Sequence, residues 1–102
     1  MTIAPAGRID TTTAPALERR LADLLAEGQR RLIVDLSGVE YISSAGLRVL
    51  LALARRMRDV NGGLALCAMG DAVRQVFQLA GFLALFTVCE SRDAALAEMS
   101  AR

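Results

Sequence analysis

Two adjacent hydroxyls, Ser43 and Ser44, stand between an apolar run that ends in an acid, Leu32-Ile33-Val34-Asp35, and a helix-like run that begins Ala45-Gly46-Leu47. A serine at a helix start accepts a hydrogen bond from an otherwise unpaired backbone N–H. That end of a helix also favours negative charge, through its free N–H groups and its dipole. A phosphoryl group added there would be tolerated by the fold and would bring about −1.5 to −2 charges to the surface beside it. Gly46, just after the serines, leaves the backbone open to close approach. On residue type alone, the favoured reading of the pair is a plain N-cap followed by an ordinary polar residue.

Catalytic chemistry has little to work with. The chain has no histidine, and its 12 basic residues are all arginine, so neither a Ser-His nor a Ser-Lys pair can form. Asp35 and Glu40 are the acids near the serines. Asp35 closes a strand, where α/β folds place functional groups, but its ordinary role there is to bond the turn backbone at Ser37 and Gly38. Cys67 and Cys89 sit in strand-like apolar runs and read as small buried thiols. With no CxxC pair and no histidine, neither a zinc site nor any other metal is expected. No glycine-rich phosphate loop is present, and no cofactor is expected.

The elements that must position the serines follow from the pattern. Met1 to Ile9 holds a short strand turning at Gly7-Arg8-Ile9-Asp10. Thr12 or Thr13 can cap a helix with Pro15 in its first turn. Leu17, Leu21, Leu24 and Leu25 repeat along one face of that helix, and Gly28 suits its end. Leu32 to Leu36 reads as a central strand covered on both faces, and Gly38 to Ile42 as a connection. A second helix starts near Ser43 or Ser44 and runs to about Asp59. After Asn61-Gly62-Gly63 comes a strand, Leu64 to Cys67. Asp71 caps a third helix carrying Val73, Val76, Phe77 and Ala80, closed by Gly81. Phe86 to Cys89 is the last strand, and Ser91 caps a terminal helix carrying Leu96 and Met99. Strands separated by helices imply right-handed crossovers and a mostly parallel sheet of four strands with about four helices. Residues 1–102 read as a single domain.

The second helix carries more apolar positions than one buried face requires. Leu47, Leu50, Leu51, Ala54 and Met57 make a core stripe, while Arg48, Ala52, Arg55 and Asp59 make a solvated one. Val49 and Leu53 lie on the flank. They either form a partly exposed partner-binding strip beside the serines or are buried by a second neighbour inside the domain.

Composition narrows the classes further. Hydrophobic residues make up 54% of the chain and aromatics 4%, so the core is aliphatic. A net charge of +1, with arginines spread over several helices and few aromatics, argues against nucleic acid. No apolar run approaches the roughly 18 residues needed to span a bilayer. The start has neither the basic region nor the apolar stretch of a secretory signal, so a cytoplasmic protein with no membrane partner is expected.

The run Asp35-Leu36-Ser37, then after six intervening residues Ser44, then Gly46-Leu47, resembles the signature of the STAS family in its bacterial anti-sigma-factor antagonist branch. Gly7-Arg8-Ile9-Asp10 resembles the family's turn before its first helix. Gly81-Phe82, followed by Leu85-Phe86, resembles its segment before the last strand. The resemblance covers about residues 7–95 and implies a small single-domain STAS-like α/β fold. It further implies a non-enzymatic regulator that acts by partner switching in transcription. The unmodified protein would hold an anti-sigma factor that is itself a serine kinase of the histidine-kinase-like ATPase type, and so free a sigma factor. Phosphorylation at Ser44 would release it, and a metal-dependent serine phosphatase would reset it. With the residues singled out from the pattern itself, the candidate partner surface comprises Asp10, Asp35, Ser43, Ser44, Ala45, Gly46, Arg48, Val49 and Leu53.

Two departures stand out. The family's usual acid before the phosphoacceptor is Ser43 here, a competing acceptor, and the hydroxyl that often follows is Ala45. Only Met1 to Ile9 is available for the amino-terminal strand pair, which predicts one edge strand fewer and an open sheet edge favouring a homodimer. The alternative function is a STAS scaffold or ligand-sensing module that is never phosphorylated. It would hold a nucleotide or lipid, or dock in a larger complex such as a lipid transporter. A small α/β enzyme ranks third.

Overall fold

The computed structural model describes residues 1–100. Strand β3 (Arg31–Asp35) and strand β5 (Gly63–Cys67) form the centre of the sheet, pairing in parallel from Arg31↔Gly63 to Asp35↔Cys67. Both are buried along almost their whole length, which accounts for their unbroken apolar sequences. Strand β1 (Thr2–Ile3) flanks β3, and strand β6 (Thr87–Cys89) flanks β5, giving the all-parallel order β1-β3-β5-β6.

Helices cover both faces, sorted by the two-residue alternation of the strands. Leu32, Val34 and Leu66 face the larger core. There they pack with helix α1 (Ala14–Ala26), helix α2 (Ser44–Asp59) and helix α3 (Asp71–Leu79). Ile33, Ala65 and Cys67 face the other way, onto Ala95 and Met99 of helix α4 (Arg92–Ser100). Each fully buried Leu or Val on these faces contributes about 1.5–3 kcal/mol over its exposed state.

Several expectations change at this level. The amino-terminal segment supplies two strands, so the edge expected to be missing is present: Thr2 and Ile3 pair with Ile33 and Val34. Its second strand, β2 (Gly7–Ile9), pairs in parallel with Val39–Ile42, which is strand β4 rather than a connection. Val39 and Ile42 are buried while Glu40 and Tyr41 are exposed. The α1 cap is not a threonine hydroxyl. Asp10 Oδ1 accepts the N–H groups of Thr12 and Thr13 at 3.0 and 3.1 Å. Thr13 Oγ1 donates to the Arg8 carbonyl at 2.8 Å. Gly70 occupies the cap position of α3, and Asp71 is that helix's first residue. On α4, Ala95 and Met99 are buried and Leu96 is exposed. Cys67 is buried and Cys89 half-buried, both as free thiols. Among the described residues no helix is long and apolar enough to cross a membrane, and none of their His, Cys, Asp and Glu side chains form a metal-binding cluster.

Candidate functional site

The start of α2 is fixed from three sides. Ser43 is extended, at φ −93° and ψ 174°, which stops the helix from running further back. Its N–H donates to the Ile9 carbonyl at 2.8 Å, tying the helix to the end of β2. Its carbonyl accepts the Leu47 N–H at 3.0 Å, the first helical bond. Its hydroxyl turns inward and accepts the Gly46 N–H at 3.5 Å, a long cap.

Gly46 has a role opposite to the expected one. It is buried, and a Cβ on it would lie 2.6 Å from Ile9 Cγ2 and 2.8 Å from Ile42 Cγ1. The close approach that needs a glycine comes from inside the domain, so Gly46 offers no surface to a partner.

Ser44 follows as the first helical residue and is exposed. Its Oγ accepts from Arg48 Nη2, one turn along the helix, at 3.5 Å. The two serines are thus divided by a single rotation of the backbone: Ser43 caps, and Ser44 faces solvent beside a guanidinium. Ala45 and Arg48 line a groove of about 380 Å³ that opens toward the start of α1, with Thr11, Pro15, Glu18 and Ala52 among its other walls. Asp10, Ser43, Ser44, Ala45 and Arg48 therefore share one end of the domain.

Of the remaining expected members, Val49 lines the inner wall of the same groove, whereas Leu53 and Asp35 do not reach it. Val49 and Leu53 are 9% and 3% exposed, so the flank of α2 is no open strip. They share a buried cluster with Leu21, Leu24 and Leu25 of α1, the second neighbour that the apolar excess on α2 required. Asp35 sits on the α4 side of the sheet. One carboxylate oxygen accepts the Ser37 N–H at 2.9 Å, and the other accepts Arg92 Nη2 and Nε at 2.7 and 3.1 Å. The turn bond was expected from the sequence, whereas the pairing with Arg92 was not.

The carboxylates respond to these contacts. The Thr13 backbone N–H, helped by those of Thr12 and by Arg8, holds the Asp10 carboxyl below its ordinary pKa against the effect of burial. The Ser37 backbone N–H, seconded by Arg92, does the same for Asp35. Burial pushes the Cys67 thiol up, as an inert packed thiol requires. Beside the site, the Arg8 guanidinium lies 4.4 Å from the centre of the exposed Tyr41 ring and 3.8 Å from Asp10. Nothing in the spacing of these residues points to the cluster, because Tyr41 belongs to β4, where the sequence predicts only a connection.

Residues 1–95 match the model of the STAS domain. Over 91 residues the chain is 46% identical to BtrV of Bordetella bronchiseptica, which carries a provisional assignment as an anti-sigma factor antagonist; the match covers 89% of this chain and 78% of that protein. It is 36% identical over 76 residues to the anti-sigma-F factor antagonist RsfB of Mycobacterium tuberculosis, covering 74% of this chain but only 61% of RsfB. The crystal structure of an anti-sigma factor antagonist from Mycobacterium paratuberculosis superposes with a TM-score of 0.89 at 32% identity. That superposition covers 97% of this chain and 84% of the other.

Proposed function

The chain belongs to the STAS domain family, and from that premise we propose that it is an anti-sigma factor antagonist switched by phosphorylation of Ser44. The unmodified first turn of α2, with the groove toward α1, holds an anti-sigma factor that is itself a serine kinase, and a sigma factor is freed. The kinase moves the γ-phosphoryl group of ATP to Ser44 Oγ; the hydroxyl proton is lost and ADP leaves. The dianion so created repels an apolar or acidic partner surface without refolding the domain beneath it. A metal-dependent serine phosphatase restores the hydroxyl.

The observation that carries this reading is the division of labour between the serines. Ser44 is exposed on the first helical position, while the half-buried Ser43 hydroxyl is engaged as the cap. Ser44 is therefore the acceptor free to react.

The test is incubation with the cognate kinase and ATP, with phosphate mapped by mass spectrometry on wild type, Ser43→Ala and Ser44→Ala. Phosphate is expected on wild type and Ser43→Ala, and not on Ser44→Ala. Ser44→Asp is expected to lose kinase binding, and Ser44→Ala to keep it. A kinase partner that neither binds nor modifies the protein would favour the unphosphorylated scaffold.

A further inference from the structure

Arg48 lies on the same face of α2 as Ser44, one turn on, with Nη2 3.5 Å from Ser44 Oγ. At that distance a neutral hydroxyl gains little from the guanidinium. The arginine is nonetheless uncommitted: among the described residues it forms no ion pair. The neighbouring carboxylates are otherwise engaged, Asp10 with Thr12, Thr13 and Arg8, and Asp35 with Ser37 and Arg92. Glu18, across the groove, is the acid that shares a wall with Arg48.

The geometry points to Arg48 as a positioning residue that acts as the built-in counter-cation of a phosphate on Ser44, holding the phosphoryl group along α2. This rests on Ser44 being the phosphoacceptor. An anion at Ser44 with a cation four residues toward the carboxyl end is the favourable order for a helical pair, and a guanidinium can give two parallel N–H donors to phosphate oxygens. Ser43 is five residues from Arg48 and its hydroxyl points inward, so the same clamp does not serve it. Arg48 thus gives the modified state a defined geometry and reinforces the choice of Ser44. The phosphorylated domain is stabilised by its own charge pair rather than strained by it.

The test uses protein carrying phosphoserine at position 44 installed during synthesis, so that no kinase is needed. The second ionisation of the phosphate is followed by ³¹P NMR in wild type, Arg48→Gln and Arg48→Lys. The wild-type midpoint is expected to lie roughly 0.15–0.4 pH unit below that of Arg48→Gln at low salt. Arg48→Lys should recover part of the shift, and salt of about 1 M should erase most of it. The unmodified wild type and Arg48→Gln should melt together, whereas the phosphorylated wild type should melt above phosphorylated Arg48→Gln. Coincident ³¹P midpoints would overturn the assignment, as would early melting of unmodified Arg48→Gln, which would make Arg48 a structural residue. Failure of a kinase to modify Ser44 is read separately, by mass spectrometry, and bears on the switch itself.

Discussion

The Ile9 side chain of β2 lies so close beneath Gly46 of α2 that the space a methyl group would need on the glycine is already filled, at 2.6 Å from Ile9 Cγ2. Two buried branched residues, Ile9 and Ile42, press on the same point, and neither is the far end of a flexible chain. The first turn of α2 therefore sits as near the β2–β4 ribbon as a peptide backbone can.

Gly46→Ala is expected to lower stability by about 1–2 kcal/mol net, since overpacking against two buried isoleucines belongs in the upper part of a roughly 1–3 kcal/mol range and helix propensity returns roughly 1 kcal/mol. Urea denaturation of the two proteins checks this. An unchanged midpoint would mean that the ribbon yields more readily than its buried isoleucines imply.

Ser43→Ala should cost about 0.5–1 kcal/mol, the lower part of the range for a lost cap because the 3.5 Å bond is long, while Ser44→Ala should stay within about 0.5 kcal/mol of wild type as an exposed substitution. The contrast is read from paired thermal melts. The reverse order would show that Ser44 is the capping hydroxyl.

Val49→Arg and Leu53→Arg each force a charge between α1 and α2 and are expected to destabilise the fold by about 2–4 kcal/mol. Ala52→Arg, at an exposed position of the same helix, should be tolerated within about 0.5 kcal/mol. Circular dichroism during urea titration separates them. A loss of partner binding in Val49→Arg or Leu53→Arg would then report unfolding rather than a lost contact.

Asp35 and Arg92 form a pH-sensitive clasp between β3 and α4. The folded Asp35 carboxyl has a depressed pKa, so its contribution is fully present above its unfolded value of about 3.9 and is lost as pH falls through the lower folded value. Asp35→Asn is expected to be less stable than wild type at pH 7 by about 1–3 kcal/mol, the cost of breaking a part-buried charged hydrogen bond. The gap should narrow below about pH 4. Stability measured from pH 7 to pH 3 tests both halves, and a gap independent of pH would rule out ionisation as its source.

What could be read from the residues depended on range. The central strands and three of the helices announce themselves through continuous apolar runs and helical spacing over ten or so residues, which are local signals. Strand β4 gives no such signal. Its four residues run buried, exposed, exposed, buried, which fits neither period, and its partner β2 lies far away in sequence. The fate of Val49 and Leu53 was undecidable for a related reason: periodicity shows that a face is apolar, not whether a second helix covers it. Asp35 and Arg92 are 57 residues apart, so nothing near either one reports the other. The serine pair was legible as a site, but which hydroxyl turns inward depends on the extended backbone of Ser43, set by its bond to Ile9.

The anchoring of that turn also bears on the thermodynamics of docking. A surface held by the Ile9 carbonyl, by the packing under Gly46 and by the Ser43 cap has little backbone entropy left to surrender when another protein settles on it. Association there should resemble the meeting of preformed shapes, with interface backbone shifts of about 1 Å or less. Variants that loosen the turn without touching its exposed atoms would then weaken binding through entropy alone.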